Sequence, residues 1–192
     1  NYYSFDIGNI HFLSLDSWGL EQTDGDSWMG SVSPTTVMKN WIASDLSVNT
    51  KKWVIAYWHH PPYTKGSHNS DSETDLVQIR QSINVFLETK GVDLIISGHS
   101  HAYERSYLLR NFTGAWNSFV AGTHAANSSS AKWNGTANSG PYKYNSTNVA
   151  NPVTPLNHGT VYVVAGNTGA NNGSTTNFGA FAMPYATVLM AE

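Results

Sequence analysis

The order of apolar and polar positions already divides the chain into elements. "YYSFDIGNIHFLSLDS" alternates or runs apolar on both sides of Gly8-Asn9, which predicts two antiparallel strands joined by a tight turn. In "SPTTVMKNWIASDLS", Val37, Met38, Trp41, Ile42 and Leu46 recur on one helical face, with Ser33 in the N-cap position and Pro34 at the first helical position. "KKWVIAYWHHPPY" reads as a buried strand from Trp53 to Trp58 that ends in His59-His60 and is stopped by Pro61-Pro62. From about Asp75 to Lys90, Leu76, Ile79, Ile83, Phe86 and Leu87 return at helical spacing, and Gly91 stands where a helix ends. "VDLIISG" is a second buried strand, so this span predicts a βαβ unit with two parallel, neighbouring strands. "GTVYVVAGNTG" and "YATVLMAE" read as closing strands. Between them and the βαβ unit, residues 111–158 hold no period and form an irregular Asn/Ser/Gly-rich insertion around Trp116, Trp133, Tyr142 and Tyr144.

Parallel strands of an α/β sheet gather ligands at their carboxyl ends. Both polar clusters, His59-His60 and His99-Ser100-His101, fall at such ends. Residues i and i+2 of extended backbone face one side, so His99 and His101 can both aim at one ion or at two neighbouring ions. His59, from the adjacent strand, is then a third ligand. His68, in "YTKGSHNSD", reads as a hydrogen-bond donor to substrate or a polar loop residue, and His60 either touches substrate or turns away along the strand. Glu104-Arg105 reads as support for the ligands, and Tyr63 and Tyr103 as walls. His11, His124 and His158 read as hydrogen-bonded structural histidines.

Composition narrows the chemistry further. The 192 residues suffice for one domain with a real core, and contain no cysteine, so a metal here must use His, carboxylate, Asn or Tyr. A net charge of −3 gives no electrostatic reason to expect nucleic acid or an anionic membrane as partner, and no apolar run is long enough to span a bilayer. Five Asn-X-Ser/Thr triplets, at Asn111, Asn127, Asn134, Asn145 and Asn172, would fit an exported protein. In a chain this rich in Asn, Ser and Thr, composition favours chance as their origin over use as glycosylation sites. The start "NYYSFDIG" reads as the interior of folded sequence rather than a leader.

Taken together, "WVIAYWHHPPY", "GSHNSD" and "ISGHSHAYERS", with the hairpin ahead and "GTVYVVAGNTG" behind, resemble the later part of a calcineurin-like metallophosphoesterase of the purple acid phosphatase type. The resemblance spans most of the chain outside 111–158. It implies an α/β fold, part of a four-layer α-β-β-α sandwich with mixed sheets, with residues 1–192 forming the C-terminal part of a single catalytic domain. It implies hydrolysis of phosphate esters with two divalent or trivalent metal ions (Fe, Zn or Mn), in a secreted, extracellular or periplasmic protein. By position, His59, His99 and His101 match metal ligands, the last two on different ions, and His68 matches the loop histidine that contacts the phosphate group or assists the leaving group, with His60 beside it. The family's upstream Asp, Gly-Asp and Gly-Asn-His motifs are expected before residue 1, and "GNIH" at Gly8–His11 is no substitute for them. The partner implied is the missing N-terminal half, and the isolated chain is expected to be nearly inactive. Two other readings stay open on the residues alone. One is a non-catalytic extracellular binding domain with a degenerate metal site. The other is a mononuclear zinc hydrolase using three histidines.

Overall fold

The computed structural model describes residues 2–18, 36–124, 159–166 and 186–191. Strands β1 (Tyr3–Ile7) and β2 (Ile10–Ser14) form the expected hairpin, in register from Tyr3 opposite Ser14 to Ile7 opposite Ile10. Gly8 takes the turn at φ +57°, a conformation that costs a side-chain-bearing residue energy. Helix α1 (Val37–Ser47), strand β3 (Trp53–Tyr57), helix α2 (Thr74–Thr89) and strand β4 (Leu94–Ser97) follow. Strand β5 (Ala102–Leu109), a one-turn helix α3 (Ala121–His124), strand β6 (Thr160–Ala165) and strand β7 (Ala186–Ala191) complete the described elements.

The seven strands make one mixed sheet in the order β1-β2-β3-β4-β6-β5-β7. β2, β3, β4 and β6 run parallel to one another, β1 is antiparallel at one edge, and β5 and β7 are antiparallel at the other. The expected βαβ unit is present, with β3 and β4 adjacent and parallel. Both helices pack on one face of this sheet, where Leu13, Val54, Ala56, Ile95 and Tyr162 from the strands meet Met38, Ile42, Ile79, Ile83 and Leu87. Right-handed crossovers made in one direction along the sheet put both helices on that face. The opposite face carries a shallow apolar groove lined by Ile10, Trp53, Ile55, Leu94, Val161 and Val163, with Asp93 and Arg105 at its margin. Among the described residues no helix is long and apolar enough to cross a membrane.

Four expectations need correction. α1 is capped by Thr36, whose hydroxyl accepts from the Lys39 amide at 3.2 Å, so the helix starts after the Ser33-Pro34 signal, which lies outside the described residues. Val37 is 52% exposed and Lys39 is buried in its place, a one-residue rotation of the inward face. Residues 102–109, where the sequence suggested only supporting residues at Glu104-Arg105, form the longest strand among the described residues. Within the insertion, the described residues 111–124 hold a 3-10 turn at Trp116–Ser118 as well as α3, while residues 125–158 and His158 lie outside the description. His11 is structural as expected. Its Nδ1 meets Asp6 and its Nε2 meets Asp45, each at 2.7 Å, which ties the hairpin to α1.

Under α2 lies a buried polar cluster. Glu88 accepts from the Tyr162 hydroxyl at 2.8 Å and from the Asn111 amide at 2.6 Å, and burial pushes its carboxyl up to about 7 from an ordinary 4.5. The folded state thus holds this proton more tightly than the unfolded chain. The resulting stability is complete below about pH 4.5 and is lost as pH rises through 7. Glu88→Gln, which stays neutral, is expected to gain stability relative to the parent between pH 4.5 and pH 8 by up to about 3 kcal/mol. Paired thermal unfolding curves at the two pH values check this, and an unchanged difference would show that Glu88 does not titrate on unfolding.

Candidate metal centre

The sheet brings the carboxyl ends of β2, β3, β4 and β6 to one edge, and the polar residues collect there. β2 runs out into Asp16-Ser17-Trp18, β3 into His59-His60, and β4 into Gly98-His99-Ser100-His101. The two histidine turns are tied to each other, because the Trp58 amide donates to Ile96 O at 3.1 Å and the Gly98 amide to His59 O at 3.0 Å. Pro61-Pro62 then turns the chain away, and Trp58 Nε1 donates to His60 O at 2.6 Å.

His99 corrects the extended-backbone argument. It adopts φ +63°, the left-handed region that non-glycine residues rarely occupy. The chain is held in this sharp turn by amide bonds from Ser100 to Gly98 O (2.7 Å) and from Ala102 to Ser100 O (2.8 Å). Gly166, at the end of β6, closes against it. A Cβ there would stand 1.9 Å from Ser100 O, so only glycine fits. The backbone at His99 is therefore not extended, and the i, i+2 argument for His99 and His101 does not hold. His59 Nε2 and His99 Nδ1 lie 3.1 Å apart, and one ligand nitrogen from each of His59, His60 and His99 falls within 4.8 Å of the others. His101 joins no such group among the described residues.

His68 arrives from the loop between β3 and α2. Its ring lies 3.8 Å, centroid to centroid, from that of His99, and its Nδ1 meets Glu73 Oε2 at 2.8 Å. Ser67 fixes this approach by accepting from the His101 amide at 2.9 Å. His68, Glu73 and His99 form a second group whose ligand atoms lie within 4.8 Å of one another. The loop itself is knotted from below. Thr64 and Ser70 exchange hydrogen bonds, and Arg80 of α2 donates to Pro62 O (3.2 Å), Ser70 O (2.7 Å) and Thr113 O (3.2 Å) while pairing with Asp71 (3.2 Å).

Glu104 supports this loop. Its buried carboxyl accepts from the Thr64 hydroxyl and from the Lys65 (3.1 Å) and Gly66 (3.2 Å) amides, and burial pushes it up to about 7. Arg105, next along β5, borders the groove on the other face. Tyr63 is a buried wall, stacked on Phe112 at 5.9 Å.

Burial lowers His99 to about 4, reinforced by the neighbouring His68, His60 and His59, and lowers His59 and His60 by the same cause. The rings thus stay neutral, the form that binds metals. Two imidazole nitrogens on one tetrahedral ion at about 2.05 Å stand roughly 3.3 Å apart. The His59–His99 separation of 3.1 Å fits that geometry, and a cysteine-free donor set of this kind suits Zn, Fe or Mn. Sequence reasoning missed Ser17, Trp18 and Glu73. Only Glu73 had a local signal, an acid at the start of a helix, and the other two reach the site through sheet order.

Comparison with known proteins places this edge in context. The family model for calcineurin-like phosphoesterases matches residues 2–103, a span that contains all five of these histidines. Purple acid phosphatase 13 of Arabidopsis thaliana is 32% identical over 116 residues, covering 58% of this chain and 18% of that protein. Purple acid phosphatase 15 of the same plant is 28% identical over 115 residues, 58% of this chain and 19% of that protein. This chain therefore spans about a fifth of the length of the curated relatives it matches. The purple acid phosphatase PPD1 from yellow lupin (Lupinus luteus) seeds shares the fold, with a TM-score of 0.59 at 17% identity, over 100% of this chain and 26% of that one. With the matched span covering more than half of the residues and ending just beyond the second histidine turn, the chain belongs to the calcineurin-like phosphoesterase family.

Proposed function

We propose that this chain is the histidine-bearing, C-terminal part of a secreted metallophosphoesterase catalytic domain of purple acid phosphatase type, which hydrolyses phosphate esters at a dinuclear metal site. The observation that carries the proposal is the convergence of His59, His60 and His99 at the carboxyl edge of the sheet, within the family's matched span. His59 and His99 are positioned to share one ion. His101, which lies in the same turn but outside that group, is the candidate for the second. Fe, Zn or Mn ions held here would neutralise phosphoryl oxygens and lower the pKa of water.

The chain's own groups then set the rest of the chemistry. Glu73 holds His68 at Nδ1, so the other ring nitrogen is left to meet a phosphoryl oxygen or the leaving oxygen. His60 faces the same small volume from the β3 side, close enough to contact the phosphate or the ion. The Ser67 bond to the His101 amide keeps the two turns in register, a positioning role, since misplacement by about 1 Å can cost on the order of 10²-fold in rate.

The test is hydrolysis of a chromogenic phosphomonoester by the full-length protein supplied with Zn²⁺, Mn²⁺ or Fe. His99→Ala is expected to lower kcat/KM by about 10²-fold or more, as does loss of a single transition-state stabiliser, with circular dichroism confirming the fold. Turnover unaffected by His99→Ala would overturn the proposal.

A further inference from the structure

We infer that His60 is a third protein ligand of the ion shared by His59 and His99, so that this chain carries a three-histidine site for a transition metal such as Zn²⁺. The inference rests on the histidine edge proposed above, but its readout is metal uptake, so a failure to hydrolyse phosphate esters leaves it standing.

Neighbouring residues of a strand point to opposite faces, which should send His60 away from His59. β3, however, ends at Tyr57, and the Pro61-Pro62 turn swings His60 back. The ring centroids of His59 and His60 lie 4.9 Å apart, those of His60 and His99 4.7 Å, and those of His59 and His99 4.9 Å. Three imidazoles bound through nitrogen to one tetrahedral ion have centroids about 5 Å apart. The three sides of this triangle are nearly equal and match that value, which chance packing of three rings does not require.

The surroundings of His60 suit a ligand better than a substrate contact. Ser17 Oγ lies 3.0 Å from Nδ1 and also accepts from the His60 amide at 3.2 Å, so one hydroxyl fixes both the ring and its backbone. Trp18 stacks on the ring at 5.2 Å and 28°, and His60 is only 7% exposed. Among the described residues none hydrogen-bonds Nε2, and one ring nitrogen of His60 lies within 4.8 Å of a ring nitrogen of His59 and of His99. A ligating histidine is commonly held in this way, with its far nitrogen anchored by a polar neighbour that sets tautomer and orientation. A residue meant to touch a departing substrate gains little from being locked on three sides.

The experiment is titration of the chain with Co²⁺ and Zn²⁺, read by the visible absorption of bound Co²⁺ and its displacement by Zn²⁺. One ion per chain in a tetrahedral field is expected. His60→Ala should weaken binding about 100-fold or more, Ser17→Ala about 10-fold, and His101→Ala less than about threefold, since His101 lies outside the triangle. Histidine ring-nitrogen NMR of the unmutated chain gives a second readout that no folding defect can confuse. Zn²⁺ should shift His59, His60 and His99 together. A folded chain that takes up no ion, a His60→Ala variant that binds as tightly as the parent, or His60 ring signals unmoved by Zn²⁺ would each overturn the inference.

Discussion

Assayed alone with Zn²⁺, Mn²⁺ or Fe, residues 1–192 are expected to hydrolyse a chromogenic phosphomonoester on the order of 10³-fold or more slowly than the purple acid phosphatases they resemble. The reason is the donor set. Among the described residues, the groups that converge on the edge are histidines plus Glu73, and Glu73 is engaged with His68 and the Asn69 amide. A dinuclear clamp needs a carboxylate between the ions to hold two like charges a few ångströms apart. Losing one positioned stabiliser already costs about 10²–10³ in rate, and here both the bridge and part of the second ion's shell would be lacking. Parallel kcat/KM measurements on the chain and on such a relative decide the matter. Comparable turnover would show that the histidine edge suffices by itself, and would favour the mononuclear reading.

Arg80→Ala is expected to destabilise the chain by about 3–5 kcal/mol, because it takes the donor from three backbone carbonyls and leaves Asp71 to pair with Lys65 (3.0 Å) alone of its two cations. Arg80 is 2% exposed and reaches three backbone carbonyls as well as Asp71. Those carbonyls belong to the segment that carries His68 and to the stretch after β5, so the same change loosens the loop that faces the metal edge. Arg80→Lys should recover less than half of the loss, since a compact ammonium cannot span a planar fork of acceptors. Denaturant unfolding monitored by tryptophan fluorescence measures the stability. A loss under about 1 kcal/mol for Arg80→Ala would mean that the loop is held by Thr64, Ser70 and Glu104 without it.

Much of this architecture is legible in local pattern, and the exceptions share a cause. The Gly8-Asn9 hairpin, α2 and the parallel pair β3–β4 follow from periods of two and 3.6 residues, and strand ends then place His59 and His99. β5 escaped because Glu104, Arg105 and Ser106 look like a solvated turn. It is a strand because β6 and β7 flank it, and because loop amides satisfy Glu104. The true start of α1 escaped because Ser33-Pro34 and Thr36 offer competing caps, and the buried Lys39 shows packing overruling polarity. The left-handed turn at His99 has no signature in a histidine. Nor does the local sequence show that the turn packs against Gly166, which follows a strand about sixty residues later and where a Cβ would meet Ser100 O.

That last dependence has a consequence for how the protein is made. β4 and β5 are consecutive in sequence but not neighbours in the sheet, because β6 lies between them, pairing Leu94 with Val161 on one side and Tyr103 with Ala165 on the other. The turn bearing His99 and His101 therefore spans a gap that stays empty until residue 165 has left the ribosome and inserted. Such a long-range insertion is slow compared with hairpin and helix formation. The turn that carries His99 and His101 is thus expected to be completed late, after the β1–β2 hairpin and the β3–α2–β4 unit have formed.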